Sequence, residues 1–276
     1  MPELPEVETI VRNLRRGVDG APALPGRTIE DVDLTWPRHV GQPSPEEFAR
    51  RIRGREIRDA DRRAKYLVFP LDHGSLLVHL RMTGDLSVQP AAEPRGPYDH
   101  TVFQLDGDWE LRFSDARKFG RVYWVEETDE RLADLGPEPL DDEFTSEVLA
   151  QLLQGRRRAL KPLLLDQSFL AGLGNIYVDE SLHRAGLHPL TRSDSLEPDQ
   201  IHNLWAAIRT SLREGIRNNG TSLDWVYRGG DYQNLLRVYG REGEPCPLCG
   251  DEIEKIVVAQ RGTHFCPSCQ PGEDPG

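Results

Sequence analysis

The first clear pattern in the chain is an apolar stripe with helical spacing close to the N-terminus. Its apolar positions recur at i, i+3, i+4 and i+7: Val7, Ile10, Val11 and Leu14. Pro5 stands in the first turn, which tolerates proline because the first amides of a helix have no intrahelical acceptor. The pattern predicts an amphipathic helix that packs its apolar face against the body of a domain.

Short segments with alternating apolar and polar residues follow this helix. They are separated by turn sequences such as Asp-His-Gly and Asp-Gly-Asp, which favour chain reversal. The predicted strands cover residues 28–34, 66–69, 75–80, 102–105, 110–113 and 121–125. Strands this short and this frequent are typical of an antiparallel β-sandwich, here an N-terminal domain of residues 1–135.

Helical periodicity replaces the alternation after residues 135–140. Predicted helices cover residues 144–153, 176–185 and, after Pro198, 201–212. They indicate a helical domain over residues 141–237, and with the preceding strands an α+β fold. A Gly-, Asn- and Tyr-rich stretch between 215 and 239 predicts a long loop, and loops of that length are usually functional or disordered.

Composition limits the environment and the partners of the chain. Its 276 residues suffice for two domains and a small appendage. No apolar run is long enough to span a membrane and no leader precedes the first helix, so we expect a cytoplasmic protein without a membrane partner. A net charge of −12 argues against a nucleic-acid partner only if the charged residues are spread evenly over the protein surface. Basic residues cluster at 50–63 and 156–158, which allows a basic face on an acidic body.

The four cysteines of the chain form two C-x-x-C pairs. Cys246 and Cys249 are separated by 16 residues from Cys266 and Cys269, a spacing typical of a tetrahedral four-thiolate zinc site. Disulfides are disfavoured in a reducing cytoplasm. We therefore expect one structural Zn²⁺ in a ribbon of residues 238–272. Arg261 would lie at the turn of its hairpin, where it is either a functional cation or an ordinary solvated residue.

The N-terminus carries a candidate covalent catalyst. If Met1 is removed, Pro2 offers a secondary amine, and an α-amino group is partly neutral near physiological pH. Attack on an aldehyde-level carbon would give an iminium that serves as an electron sink, with Glu3 as a proton donor. The alternative is that these residues only begin a helix.

Glycines precede the second long helical segment. In the sequence Gly172-Leu-Gly174-Asn175 the backbone amides could point out from a helix N-terminus and bind an anion. The alternative is that the glycines serve only tight packing.

Three motifs together resemble one known family from end to end. They are Met1-Pro-Glu-Leu-Pro-Glu-Val-Glu-Thr9, Gln167-Ser-Phe-Leu-Ala-Gly-Leu-Gly-Asn-Ile-Tyr177 and the cysteine ribbon ending Phe-Cys-Pro-Ser-Cys-Gln. In combination they are similar to formamidopyrimidine-DNA glycosylase. The resemblance implies a helix-two-turn-helix domain and a monomeric, bifunctional repair enzyme. It would excise oxidised purines, chiefly 8-oxoguanine and formamidopyrimidines, from double-stranded DNA and cleave the abasic site by β,δ-elimination through a Schiff base on the N-terminal proline.

The resemblance also implies roles for individual residues. The implied catalytic residues are Pro2 as nucleophile, Glu3 as acid, Glu6 as a second carboxylate, Lys65 as a helper of elimination and Arg261 for phosphate contact and the final elimination. The implied DNA contacts are His100, Arg117, Arg156, Lys161 and Asn175. Arg156 departs from the family if lysine is usual there, and the two side chains differ in geometry.

A flipped nucleotide leaves a gap in the duplex that the protein must fill. Met82, Arg117 and Phe119 resemble the family's filling set. The alternative for Met82 and Phe119 is a place in the core, but both lie at predicted strand–loop junctions near a glycine, which favours exposure. An arginine offers only donors, which suits the acceptor edge of an orphaned cytosine. The loop at 220–235 would close over the base, although its sequence does not specify which oxidised purine is preferred.

Three alternatives remain open from the sequence. Endonuclease VIII is a relative that acts on oxidised pyrimidines, but Leu4 in Pro-Glu-Leu-Pro-Glu and Met82 favour the purine enzyme. A non-catalytic DNA-damage sensor would not need Pro2, Glu3, Lys65 and Arg261. A zinc-ribbon module for protein interaction would show no preference for DNA.

Overall fold

The computed structural model describes residues 1–18, 20–222 and 229–272. The chain divides into two compact units, one of Met1–Asp134 with Asn219–Gly230 and one of Leu135–Asn218 with Asp231–Gly276. Within the described ranges, none of the helices combines the length and the apolar character needed to cross a membrane.

The first unit begins with the predicted amphipathic helix and continues mainly as strands. In chain order its elements are α1 (Leu4–Arg16), β1 (Thr28–Leu34), a 3-10 turn (Pro37–His39), β2 (Val40–Gln42), α2 (Pro45–Ile52), β3 (Arg55–Glu56), β4 (Asp61–Arg63), β5 (Tyr66–Pro70), β6 (Ser75–His79), β7 (Gly84–Pro90), β8 (Asp99–Leu105), β9 (Trp109–Asp115), β10 (Arg121–Val125) and α3 (Asp129–Leu132).

These strands form two five-stranded sheets, with the orders β3-β1-β8-β9-β7 and β2-β10-β6-β5-β4. All pairs are antiparallel except β2 with β10. One hydrophobic cluster draws side chains from both sheets, such as Phe103 and Phe69, and also contains Val7, Ile10, Val11 and Leu14 of α1. The shared core confirms the predicted sandwich and the helical stripe.

The second unit is helical and ends in a hairpin. Its elements are α4 (Ser146–Leu153), α5 (Leu160–Leu164), α6 (Asn175–Ala185), α7 (Pro198–Arg217), a 3-10 turn (Tyr232–Leu235), β11 (Glu254–Val258) and β12 (Arg261–Phe265). The α+β class predicted from the sequence is therefore confirmed.

The units differ from the predicted domain boundaries in two respects. The helical segments and the hairpin, expected as separate domains at 141–237 and 238–272, lie in one compact unit. Residues 219–222 and 229–230, expected with the helices, belong to the first unit. The first difference is explained by hydrogen bonds between these elements: α5 and α6 each donate to Gly262 O of β12, and α6 accepts from His264 N.

Candidate active site and metal centre

The residues that precede α1 are held by a reciprocal capping box. The Glu6 Oε2 atom accepts a hydrogen bond of 2.8 Å from the backbone N–H of Glu3, while the Glu3 carboxylate accepts one from the backbone of Glu6. Both side chains are 2 % exposed, and Pro2 is buried beside them. The helix start thus fixes the position of Pro2, whose nitrogen is a tertiary amide as long as Met1 is attached.

The second oxygen of Glu6 holds the start of the predicted base-closing loop. Glu6 Oε1 accepts hydrogen bonds from Thr221 N at 2.8 Å and from Thr221 Oγ1 at 3.3 Å. A Cβ atom at Gly220 would lie 2.6 Å from the same oxygen, and the φ of Gly220 is +75°. Glycine is therefore required at this close approach.

The loop expected at 220–235 is described only at its ends. Ser222 Oγ donates to Gly230 O at 3.0 Å and accepts from Gly230 N at 2.9 Å, so the two ends of the loop are tied to each other. Residues 223–228, on which the expected contact with the base depends, lie outside the described residues.

Lys65 lies in the tight turn between β4 and β5 and is 6 % exposed. His79, at the end of β6, pairs with Tyr66, the residue after Lys65. No sequence pattern had indicated His79 as a site residue. Burial lowers the pKa of His79 to about 3, and the positive charges of Arg81 and Lys65 add to this effect. The His79 Nδ1 atom accepts a 3.0 Å hydrogen bond from Arg81 N, so the neutral ring carries its hydrogen on Nε2. In the sequence, His79 could have been noticed as a polar residue within the apolar run Ser-Leu-Leu-Val-His-Leu.

The expected gap-filling residues lie at the surface of the first unit. Phe119 is 48 % exposed, and the guanidinium of Arg117 stands 4.8 Å from the centre of its ring. Met82 is half-buried. The exposure predicted for Phe119 from its place beside Gly120 is confirmed, and a cation over an aromatic face restrains both side chains.

Asp115 connects the two segments that carry these residues. Its Oδ1 atom accepts hydrogen bonds from Thr83 Oγ1 and, at 3.2 Å, from Arg117 N, while Oδ2 accepts from Gly120 N at 2.6 Å. Burial acts to raise the pKa of Asp115, but the adjacent His39 and the bonds from Thr83 and Gly120 outweigh it and lower the pKa to about 2. A permanent carboxylate therefore anchors the Arg117–Phe119 loop next to Met82.

His100 lies on β8, and its ring packs edge-on against that of His39 with ring centres 5.8 Å apart. The His100 Nδ1 atom is 3.3 Å from Thr35 Oγ1. Burial lowers the pKa of His100, and the positive charge of Lys118 lowers it further. Burial and the nearby cation thus both disfavour the protonated form of this imidazole.

In the second unit, two expected DNA contacts meet at the backbone of β12. Asn175 Nδ2 donates to Gly262 O at 2.9 Å, and Lys161 Nζ donates to the same oxygen at 3.1 Å. Lys161 also forms a 2.6 Å ion pair with Asp179, and both side chains are 0 % exposed. The buried ammonium of Lys161 thus holds the strand next to Arg261, and the DNA contact that the resemblance implies for this residue stays a prediction.

Two arginines expected to contact DNA or phosphate are exposed. Arg261 is the first residue of β12 rather than the tip of the turn, which is formed by Ala259 and Gln260 with φ values of +47° and +63°. Arg156 follows α4, and its guanidinium lies 5.2 Å from the ring centre of Phe169.

The four cysteines are close together, and their geometry fits a zinc ion. Their sulfur atoms all lie within 4.8 Å of one another, with Cys246 and Cys269 at 3.8 Å and Cys249 and Cys266 at 3.4 Å. Sulfurs bound tetrahedrally at about 2.3 Å from zinc would be roughly 3.8 Å apart, and no pair is at the ~2.0 Å distance of a disulfide. Burial and neighbouring sulfurs raise the pKa of the Cys266 and Cys269 thiols, so a divalent cation is needed to hold four thiolates together.

Comparison with protein-family models gives matches along nearly the whole chain. The model described as "Formamidopyrimidine-DNA glycosylase N-terminal domain" matches residues 1–122, and the "Formamidopyrimidine-DNA glycosylase H2TH domain" matches residues 135–226. The "Zinc finger found in FPG and IleRS" matches residues 243–272, which include the four cysteines.

Individual proteins show the same similarity. The formamidopyrimidine-DNA glycosylases of Chloroflexus aggregans and Protochlamydia amoebophila are 49 % and 43 % identical to this chain, covering 98 % of it and 98 % and 99 % of their own lengths. The solved complex of Lactococcus lactis FPG (MutM) with DNA containing FAPY-dG has a TM-score of 0.90 at 38 % identity, covering 98 % of this chain and 100 % of that one. A structure of MutM with DNA containing carbocyclic 8-oxo-G has a TM-score of 0.89 at 39 % identity, with the same coverage.

Proposed function

The chain belongs to the formamidopyrimidine-DNA glycosylase family, and from this premise we propose that it excises oxidised purines from double-stranded DNA and then cleaves the abasic site. The observation that carries the proposal is the buried Pro2-Glu3 pair, held by the capping box with Glu6. The similar solved structures whose bound DNA contains FAPY-dG or 8-oxo-G support 8-oxoguanine and formamidopyrimidines as the substrate class.

Catalysis begins after Met1 is removed, which converts the Pro2 amide into a secondary amine. Its lone pair forms a bond to C1′ of the flipped nucleotide, and the bond between C1′ and the base breaks with its electrons leaving on the base. Glu3 gives a proton to the ring oxygen as the bond from C1′ to that oxygen breaks. The proline nitrogen gives up its own proton, which neutralises the departed base, and the lone pair freed in this way completes an iminium between protein and sugar.

Strand cleavage follows from the acidity that the iminium confers on the sugar. Loss of a proton from C2′ converts the iminium into an enamine, whose electrons return to break the bond from C3′ to the 3′ phosphate and restore the iminium. Loss of a proton from C4′ then expels the 5′ phosphate from C5′ in the same way. Lys65 and Arg261 assist these steps by contacting the departing phosphates. The low exposure of Lys65, at 6 %, favours a role close to the reacting sugar over a role in general attraction of DNA.

Binding of the duplex uses residues of both units. Met82, Arg117 and Phe119 fill the gap left by the flipped nucleotide, with Arg117 donating to the orphaned cytosine. The exposed arginines Arg156 and Arg261, with His100 and Asn175, contact the phosphate backbone. Because positive charge is concentrated on such residues, the net charge of −12 does not prevent binding.

Cys246, Cys249, Cys266 and Cys269 would hold the zinc ion. With four protein ligands the ion has no open position, so it supplies structure and no reaction chemistry. Its role is to order the hairpin that carries Arg261.

Borohydride trapping tests the covalent step. Protein whose N-terminus is shown by mass spectrometry to be Pro2 should form a stable adduct with an 8-oxoguanine duplex when borohydride reduces the iminium. The same chain with Met1 retained is the control and should give no adduct, since its nitrogen is acylated. Absence of an adduct from the processed protein, or full cleavage by a processed Pro2→Gly variant, would contradict the mechanism.

Single-turnover excision separates the purine enzyme from its nearest alternative. We expect faster release of 8-oxoguanine than of thymine glycol from otherwise identical duplexes. The reverse order would assign the chain to oxidised pyrimidines. Tight binding of an abasic duplex without any excision would indicate a damage sensor, and no preference for DNA would indicate a protein-interaction module.

A further inference from the structure

A buried histidine of the helical region lies against one of the zinc-binding cysteines. His183, on α6, is 1 % exposed, and its Nε2 atom is 3.3 Å from Cys246 Sγ. Cys246 is itself 3 % exposed, whereas Cys249 is exposed. The contact therefore occurs on the inner side of the cysteine cluster, away from solvent.

The chemistry of the sulfur fixes the direction of this contact. A zinc-bound cysteine is a thiolate and can only accept a hydrogen bond, so the hydrogen must be on Nε2 of His183. The other ring nitrogen, Nδ1, is buried without a hydrogen-bond partner among the described residues. A hydrogen on Nδ1 would be a buried donor with no acceptor, which is costly. The ring is thus the neutral tautomer with its hydrogen on Nε2.

We propose that His183 donates its Nε2 hydrogen to the zinc-bound thiolate of Cys246 and thereby tightens zinc binding. Four thiolates around Zn²⁺ carry a net charge of −2, and each hydrogen bond to sulfur withdraws part of that charge. The backbone N–H of Leu248 also donates to the same sulfur over 3.5 Å, so the hydrogen bond from His183 adds to one from the backbone. Hydrogen-bonding partners of metal ligands commonly change metal affinity by about 10- to 100-fold.

His183 also joins the zinc cluster to the helix that supports the hairpin. Toward its N-terminus, α6 contacts β12 through Asn175 and Asp179: Asn175 Nδ2 donates to Gly262 O, and Asp179 Oδ2 accepts from His264 N at 2.9 Å. His183 extends the attachment along the same helix to the first C-x-x-C pair. Loss of its hydrogen bond should therefore weaken zinc retention while the α6 contacts with β12 remain.

The test is a His183→Phe variant, which keeps a planar ring and removes the donor. We expect its zinc to bind about tenfold or more weakly and to transfer faster to a colorimetric chelator, measured on the full chain. His188→Phe is the matched control, because His188 packs edge-on against Phe265 of the same hairpin with ring centres 4.7 Å apart, and its Nδ1 atom accepts a hydrogen bond from the backbone N–H of Leu190. Its zinc affinity should stay within about twofold of the unaltered chain.

A second measurement does not depend on any variant folding. In the unaltered chain substituted with ¹¹³Cd, the Nε2 hydrogen of His183 should show scalar coupling to the metal through the hydrogen bond and Cys246 sulfur. Zinc affinity of His183→Phe within twofold of the unaltered chain, or an imidazole found with its hydrogen on Nδ1, overturns the proposal. The proposal rests on the zinc centre proposed above, and metal analysis distinguishes the two: a chain purified without zinc overturns both, whereas one zinc per chain with no effect of His183 overturns this inference alone.

Discussion

The carboxylate of Glu6 accepts a 2.8 Å hydrogen bond from the backbone N–H of Thr221, a residue 215 positions away in sequence. The other oxygen of the same carboxylate accepts an equally short bond from Glu3 N. One buried side chain therefore fixes both the start of α1, where Pro2 lies, and the start of the loop expected to close over the damaged base. Under the proposed function, Glu6 couples the position of the nucleophile to the position of that loop.

Replacing Glu6 with glutamine should reduce base excision more than cleavage of a preformed abasic site. Glutamine has one acceptor oxygen where two backbone donors require one each, so one hydrogen bond to a charged group is lost, at about 1.5–3 kcal/mol. That corresponds to a roughly 10- to 100-fold slower excision. An abasic site has no base to enclose and should be less affected. Single-turnover rates on 8-oxoguanine and abasic duplexes provide the measurement.

Thr221→Val is the matched control for this experiment. It keeps the 2.8 Å backbone donor and removes only the 3.3 Å contact from the hydroxyl, so both rates should stay within about threefold, since weak neutral hydrogen bonds contribute little. Equal losses of the two activities in Glu6→Gln would show that Glu6 acts on the chemistry at Pro2 and not through the loop.

Replacing Lys161 with methionine should destabilise the second unit strongly. The variant keeps the volume of the side chain but leaves the fully buried carboxylate of Asp179 without its cation, which typically costs about 3–5 kcal/mol. Urea-induced unfolding gives the change in free energy. Arg158→Ala is the control, because its ion pair with Asp166 is largely exposed and should contribute less than about 1 kcal/mol. Similar small losses in the two variants would contradict the structural role assigned to Lys161.

Local sequence patterns predicted the helices and strands that are determined by interactions between residues close in the chain. The apolar stripe of α1 and the alternation of β1 gave elements close to those observed, since each depends on its own residues. The helix α2 was missed although Ser44 caps it and Pro45 begins it, because only Phe48 and Ile52 mark its buried face. The strand β7 was missed because Gly84 and Pro90 at its ends read as turn residues.

The roles of site residues depended on contacts that no local pattern contains. Pro2, Glu3 and the cysteines could be proposed as site residues because the members of each motif are close in sequence. The resemblance implied a DNA contact for Lys161, but no local pattern indicated that this side chain is buried or that its partner Gly262 is 101 positions away. The contact between His183 and Cys246 spans 63 positions. The burial of Lys161 and His183 follows from the tertiary fold and could not be predicted from the spacing of residues along the sequence.

Replacing Asp115 with asparagine should flatten the acid dependence of stability. An aspartate titrates near 3.8 when unperturbed and Asp115 titrates at about 2 in the folded chain, so the folded state binds its proton less readily than the unfolded state. Its contribution, on the order of 1–2 kcal/mol, is complete above about pH 4–5 and is lost as the pH falls through about 2. Unfolding free energies measured between pH 2 and 7 should converge for the two proteins at the acid end.

Asp61→Asn is a suitable comparison in the same unit, because the Asp61 side chain is 66 % exposed. Its stability curve should follow that of the unaltered chain. A constant difference between Asp115→Asn and the unaltered chain across the whole range would show that the loss comes from packing and not from the ionised carboxylate.

Removal of zinc should disorder the hairpin of β11 and β12 and leave the first unit folded. The hydrophobic cluster of this region is small, formed by Val238, Ile253 and two of the cysteines themselves, and so small a core needs the metal to fold. Hydrogen exchange read by mass spectrometry should show lost protection at residues 246–269 and retained protection in β5 and β6. Binding of an abasic duplex should weaken at least tenfold because Arg261 loses its fixed position, an effect of the size expected for a charged contact. Adding zinc, but not magnesium, should restore both the protection of the hairpin and the binding of DNA, since thiolates select soft metals. A metal-free hairpin that stays protected would contradict the role assigned to the ion.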